Sequence, residues 1–207
     1  EYLPRPTDQH GVFQRLRMFA EALDRLGSLD FLFFVGPRWN VDQEDTAELI
    51  ADRWGISKPG VFIARNGDDP GMSRLLEDYL IPMTSMHRQA RYARLSGVDQ
   101  IAALESRLAE HPALVFAHRL GAMCPLLLTR QTTPPILFDL DDLEHKAAAR
   151  SIPKPPNWGL KRLLYLRLPA LWLGERAAIR KAHTTFVCSK ADREHLRARR
   201  PRAGRRG

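Results

Sequence analysis

Short apolar runs alternate with segments of helical period along most of the chain, and this alternation constrains the fold more than any other feature. From Gln14 to Leu26, the residues Leu16, Phe19, Ala20, Leu23 and Leu26 recur on one helical face, and Gly27 ends the helix. Leu29 to Val35 (LDFLFFV) is an apolar run with aromatics, suited to a strand covered on both faces. Gly36, Pro37 and Asn40 break the chain. Val41 to Trp54 then reads as a helix whose first turn carries Asp42, Glu44 and Asp45, which favours the positive end of the helix dipole. Gly60 to Ala64 reads as a strand. Arg65 to Gly97, punctuated by Pro70, Gly71 and Pro82, reads as short helices.

The second half continues the pattern. Val98 to Glu110 is a helix with Ile101, Leu104 and Leu108 on one face, Ala113 to Ala117 a strand and Ala122 to Thr129 a helix. Pro135 to Phe138 is a strand running straight into Asp139. Trp158 to Lys181 is a long helical stretch with a kink expected at Pro169, Thr184 to Cys188 a strand, and Ser189 opens the last helix. Strands and helices in alternation predict an α/β fold of parallel βαβ units, doubly wound, with a mostly parallel sheet and helices on both faces. A domain of this kind opens with a strand, whereas this sequence opens in a Pro-rich polar loop and a helix; a first strand is therefore expected to be missing ahead of Glu1. Residues 1–196 are expected to form one domain and residues 197–207 a disordered, arginine-rich tail.

Composition excludes several classes. With 44% hydrophobic and 27% charged residues, the 207-residue chain is neither fibrous nor disordered. Its net charge of +8 suggests an anionic partner, but Arg197, Arg199, Arg200, Arg202, Arg205 and Arg206 supply six of those charges with no acid among them, leaving 8 − 6 = +2 elsewhere. The body is thus near neutral, which argues against a specific nucleic-acid reader; a module using the arginine tail stays as a rival of another class. Cys124 and Cys188 lie far apart and outside any metal-ligand spacing, as expected of reduced, buried thiols. No signal peptide is visible and no apolar run reaches the roughly 18 residues of a membrane span, so a cytoplasmic location, with contact at the inner membrane face left open, is expected.

In sheets of this type ligands sit beyond the carboxyl ends of the strands. The sharpest signal there is PILFDLDDLEH, Pro135 to His145, where a strand ends in Asp139, Asp141 and Asp142 with Glu144 and His145 following. Four carboxylates over six positions repel one another and are costly to desolvate, so the string needs a cation, a polar ligand or good solvation. A plain strand end with Asp141 or Asp142 capping a helix is the structural alternative. Asp139 and Asp141 also resemble the Asp-x-Asp motif of haloacid-dehalogenase-like phosphatases, with Asp139 as nucleophile beside magnesium. Against that, Leu143 stands where that family has Thr or Val, and the motif comes late in the chain. The metal-binding Asp-x-Asp of the other main glycosyltransferase fold is a further short match.

A wider resemblance covers nearly all 207 residues. PILFDLDDLEHKAAAR looks like the D-x-D-D-x-E segment in the N-terminal domain of GT-B-fold glycosyltransferases, in the group related to retaining family 4. Pro6 to Arg15 (PTDQHGVFQR) resembles the loop after their first strand. Val115 to Leu120 (VFAHRL) resembles their strand ending in a histidine or arginine, and Thr184 to Leu196 (TTFVCSKADREHL) their closing strand, serine and helix.

The resemblance implies a Rossmann-like, acceptor-side domain of an enzyme that moves a sugar from a nucleotide-sugar donor to a glycan or lipid-linked acceptor. It implies no cofactor and no metal. The donor would be held mainly by a second, C-terminal domain, so the 207-residue chain is expected to have little or no transferase activity alone, and whether it is itself an enzyme stays open. Gly11, Gln14 and Arg15 become the candidate donor-phosphate loop, Gly11 by letting backbone amides approach a diphosphate and Arg15 as a fork. His118 becomes the candidate catalytic residue, with Arg119 as its close competitor. Arg119, Asp139, Asp141, Asp142 and Glu144 become the acceptor-side cleft, since carboxylates accept hydrogen bonds from sugar hydroxyls. Ser189 is expected to cap the last helix. The mixed aromatic and basic stretch Trp158 to Arg180 is read either as a core-packing helix with a solvated basic face or as one lying on an anionic membrane.

Overall fold

The computed structural model describes residues 11–35, 41–65, 96–156, 159 and 161–198. The short helices expected within Arg65 to Gly97 lie largely outside them, as do Pro6 to His10, Trp158 and most of the arginine tail. Within the described residues the protein is α/β, with all strand pairs parallel and two small sheets.

The elements follow the expected order. Helix α1 (Gly11–Asp24) starts three residues before its expected position and leads to β1 (Asp30–Val35). Helix α2 (Gln43–Trp54) is capped at both ends. The Asp42 side chain accepts from the amides of Glu44 (2.8 Å) and Asp45 (3.1 Å), and Gly55 closes it at φ 68°, the left-handed conformation glycine adopts without strain. Next come β2 (Gly60–Arg65), α3 (Val98–Leu108), β3 (Val115–His118), α4 (Arg119–Leu128), β4 (Ile136–Asp141) and α5 (Glu144–Ser151). A 3-10 turn over Lys161–Arg167 precedes α6 (Leu168–Lys181), then β5 (Thr184–Val187) and α7 (Lys190–Ala198) close the described chain.

One sheet is β1–β2, the other β3–β4–β5, in those orders. Gly60 opens β2 against Asp30 of the neighbouring strand, whose Oδ1 lies 2.1 Å from where a Cβ would be, so a larger residue there would need the exposed Asp30 side chain to turn away. Each sheet has its own apolar core. The larger gathers Leu120, Met123, Ile136, Phe138 and Leu140 with Leu171 and Ala178; the smaller gathers Phe13 and Ala20 with Ile50, Trp54 and Val61. Strand β1 serves both, because its side chains alternate: Leu32 and Phe34 pack on the larger core and Phe31 and Phe33 on the smaller. Gln100, fully buried on α3, donates through Nε2 to the carbonyls of Val35 (3.1 Å) and Ala64 (3.4 Å) and so ties that helix to the ends of β1 and β2.

Several local readings are corrected. Pro169 does not kink a long helix. It sits in the first turn of α6, where its missing N–H has no partner to lose, and the preceding residues tighten into a 3-10 turn. Helix α6 buries Ala170, Leu171, Gly174 and Ala178, the core-packing alternative, and leaves Tyr165 and Leu173 exposed beside it. Neither Asp141 nor Asp142 caps α5; Leu143 occupies that position with no side-chain bond. Ser189 does cap α7, its Oγ accepting from the Asp192 amide at 2.9 Å. That helix continues through Ala198, two residues beyond the expected domain end. Cys124 is buried, but Cys188 is exposed, and neither is in a disulfide. No helix among the described residues is long and apolar enough to cross a membrane.

Candidate functional site

The carboxyl ends of β3, β4 and β5 form one rim. Strands β3 and β4 pair through Ala117–Phe138 and His118–Asp139, which sets His118 beside Asp139 by register alone. Between β4 and β5 the register slips: Asp139 faces Phe186 and Asp141 faces Val187, so Leu140 is an extra residue. Such a bulge bends the strand and re-aims the side chains beyond it. Asp141 leaves the bulge at φ 61°, and Arg119, immediately after β3, stands at φ 66°. Both are left-handed conformations that side chains rarely adopt, and they cluster where structure is held by its surroundings.

Asp139 is the centre of the rim, with no exposed side-chain surface. Arg15, reaching across from α1, donates through Nε to both carboxylate oxygens at 2.9 and 3.0 Å and through Nη2 to Oδ1 at 2.5 Å. His118 Nδ1 lies 3.0 Å from Oδ2. Burial works to raise the Asp139 pKa, but the hydrogen bonds from His118 and Arg15 outweigh it, and the carboxyl is held below the ordinary aspartate range. The same bond to Asp139 pushes the Arg15 pKa up. Asp139 is therefore ionised, and its acceptor oxygens fix the proton of His118 on Nδ1. His118 Nε2 is buried and without a hydrogen-bond partner among the described residues.

A second ion pair lies alongside. Arg119 Nη2 donates to Asp141 Oδ2 at 2.7 Å, and Arg15 Nε is 3.9 Å from Asp141 Oδ1. Asp139 and Asp141 thus find positive charge within the chain, in Arg15 and Arg119. Asp142 is exposed, and Glu144 begins α5 half-buried.

The residues marked in the sequence are brought together unequally. His118, Arg119, Asp139, Asp141 and Arg15 share direct contacts. Gly11 opens α1 one turn before Arg15, and a Cβ on it would meet nothing within 4 Å, so the chain leaves open space there. Gln14 is exposed. Two placements differ from expectation. The Arg15 fork, expected to meet a donor phosphate, is engaged by the Asp139 carboxylate. Asp139 does not offer its carboxylate to the cleft, because it is sealed between Arg15 and His118. Asp141, Asp142 and Glu144 remain at the rim.

No family model matches this chain, and neither the curated proteins nor the solved structures contain a match to it. Among the described residues no group of three or more His, Cys, Asp or Glu side chains is arranged to hold a metal ion.

Sequence reasoning missed two residues. Cys188 follows β5 directly and places Sγ 3.1 Å from the Asp141 carbonyl oxygen and 3.4 Å from Asp142 Oδ1. Partial burial and then the Asp142 carboxylate raise its pKa, so the thiol stays protonated and donates. Its position just after a parallel strand was the signal that marked it. Glu175, buried on α6, accepts from the His145 amide at 2.9 Å and pairs with His145 Nδ1, locking α5 to α6. Its signal was one acid within the apolar run LPALWLGERAAI. Finally, a groove of about 700 Å³ runs between β1 and β3, and His118, Arg119 and Glu144 line it at the rim.

Proposed function

We propose that this chain is the acceptor-side, Rossmann-like domain of a retaining, nucleotide-sugar-dependent glycosyltransferase of the GT-B type. The observation that carries the reading is the convergence at one rim of His118, Arg119, Asp139 and Asp141 with Arg15 at the start of α1. Asp139 orients the imidazole, and Nε2 is left to hydrogen-bond a hydroxyl of an acceptor sugar or of the transferring one. Asp141, Asp142 and Glu144 supply acceptors for further hydroxyls. Helices α1 and α4 both begin at this rim, so their amide ends and Arg119 favour a departing diphosphate without a metal ion. Arg15 acts in this reading by positioning Asp139 and, through it, His118.

On the same reading the two sheets are halves of one doubly wound sheet. The donor is held mainly by a second domain of similar kind, so the 207-residue chain binds acceptor sugars while transferring little. The site faces the cytoplasm, and Tyr165 and Leu173 are candidate contacts for a membrane that carries a lipid-linked acceptor.

Saturation-transfer NMR with a panel of glycans and nucleoside diphosphate sugars tests the proposal. Acceptor glycans are expected to bind wild type, and His118→Ala to weaken them about tenfold, the worth of one hydrogen bond of about 1.4 kcal/mol. Absence of binding by every sugar and nucleotide would sink it. So would a magnesium-dependent phosphatase activity lost in Asp139→Asn, the outcome expected of a phosphohydrolase; the sealed carboxylate of Asp139 speaks against that chemistry.

A further inference from the structure

We infer that Glu175, a buried carboxylate on α6, is a positioning residue of the rim: it caps α5 from outside that helix and so holds Glu144 in the wall of the groove. That Glu144 meets an acceptor hydroxyl there rests on the sugar-transfer reading; that Glu175 places it does not.

Helix α5 begins with little support of its own. It has eight residues, and Leu143, at its cap position, makes no side-chain bond. The Leu143 carbonyl takes the amides of Lys146 (3.0 Å) and Ala147 (2.9 Å). The His145 amide, one that a capping side chain ordinarily takes, has no such partner inside the helix. Leu143 is 1% exposed, so the turn starts inside the protein, where an amide without a partner is costly. Glu175 supplies the acceptor from 30 residues away, its Oε1 taking the His145 amide at 2.9 Å. A carboxylate here also faces the positive end of the helix dipole. Its Oε2 pairs with Nδ1 of the same residue. One carboxylate thus grips both the backbone and the ring of His145, which fixes the first turn in position and in rotation.

The packing of α6 does not call for an acid there. Glu175 is 2% exposed and lies on the helix face that also buries Leu171, Gly174 and Ala178. An apolar side chain would serve that face, whereas a carboxylate is costly to desolvate. Its ion-pair partner among the described residues is His145. Replacing a buried pair by apolar residues is often neutral or stabilising, so the pair is better explained by what it places than by what it stabilises.

What it places is Glu144. That residue opens α5, next to His145, and lines the groove with His118 and Arg119. Strand β4 does not aim it, since the bulge at Leu140 and the left-handed backbone of Asp141 break the strand's direction before α5 begins. Core packing grips α5 weakly, as none of its residues is fully buried. Toward α7 the hold is looser, with Lys146 Nζ 3.4 Å from Asp192 Oδ1. A slip of one residue at the helix start would turn Glu144 by about 100° around the helix axis and carry its carboxylate off the rim.

Carbon-13 labelling of glutamate carboxyls, with the Glu144 signal assigned through Glu144→Gln, tests this without any ligand. Glu175→Leu is expected to move that signal and to speed exchange of the His145 amide by about tenfold or more, while Phe138 in β4 changes by less than about twofold. Glu175→Gln keeps an oxygen for the amide and is expected to restore both to near wild type. An unmoved Glu144 signal in Glu175→Leu overturns the inference. So does equal displacement by Glu175→Gln, or equally faster exchange at Phe138, the mark of a merely stabilising role. If Glu175→Leu does not fold, Glu175→Asp, one methylene too short to reach both His145 atoms, is expected to move the same signal, and an unmoved one overturns the inference. Under the sugar-transfer reading, Glu175→Leu also weakens the tightest glycan of the panel by about threefold or more, with no further loss once Glu144→Gln is present. Additive losses overturn the positioning role. A wild type that binds no sugar while the Glu144 signal moves as stated supports that role and sinks the sugar-transfer reading alone.

Discussion

Removing Arg15 is the sharpest test of how the rim is held. Arg15→Ala deletes three donor contacts to a carboxylate with no exposed surface, leaving His118 as the remaining side-chain partner of Asp139. Taking one partner from a buried pair costs about 3–5 kcal/mol, because the other charge is left uncompensated. Arg15 itself is 20% exposed, so water can follow into part of the space it vacates, which favours the lower end, about 3 kcal/mol. For a chain of this size each kcal/mol shifts Tm by about 2–4 °C, giving a fall of about 6–12 °C. Urea denaturation followed by circular dichroism gives the free energy, and scanning calorimetry gives Tm. Arg15→Ala combined with Asp139→Asn removes the stranded charge and is expected to recover at least about 1.5 kcal/mol relative to the sum of the singles. The pH dependence has a definite sign. The folded Asp139 pKa is below the unfolded value of about 3.9, so its contribution is complete above that value and lost as pH falls below it. In Arg15→Ala the carboxyl loses one of the two groups that lower it, so the acid limb of the stability curve moves to higher pH. A cost under about 1 kcal/mol for Arg15→Ala, or an unmoved acid limb, would refute the reasoning.

Other outcomes depend on single side chains. Phe138→Ala, at a fully buried core position, is expected to cost about 3–5 kcal/mol by equilibrium denaturation. Gln100→Leu leaves the Val35 and Ala64 carbonyls without their side-chain donor and is expected to cost about 1–3 kcal/mol. Iodoacetamide should alkylate Cys188 more slowly than a free thiol at neutral pH, despite its exposure, with the rate rising only above the ordinary thiol range; Asp142→Asn should speed it.

Much of the architecture was legible because its signals are local. Apolar runs marked every described strand, and the rule that chemistry follows parallel strands pointed to His118 and Asp139 before their contact was known. What was hidden is non-local. Arg15 and Asp139 are 124 residues apart, and nothing in either segment announces that one will seal the other. The same blindness made Asp139 look like a cleft carboxylate. Pro169 misled because proline reads alike at a kink and in a first turn, and only the neighbouring packing separates the two. Cys188 was assigned by residue type, since cysteines are usually buried, and its place after β5 was the better guide.

Arg119 and Asp141 are both left-handed, and glycine would sit at either place with ease. The protein instead keeps opposite charges there and fastens them to each other at 2.7 Å, so each unusual backbone is held by the side chain of the other. The tips of β3 and β4 are thereby latched as one unit.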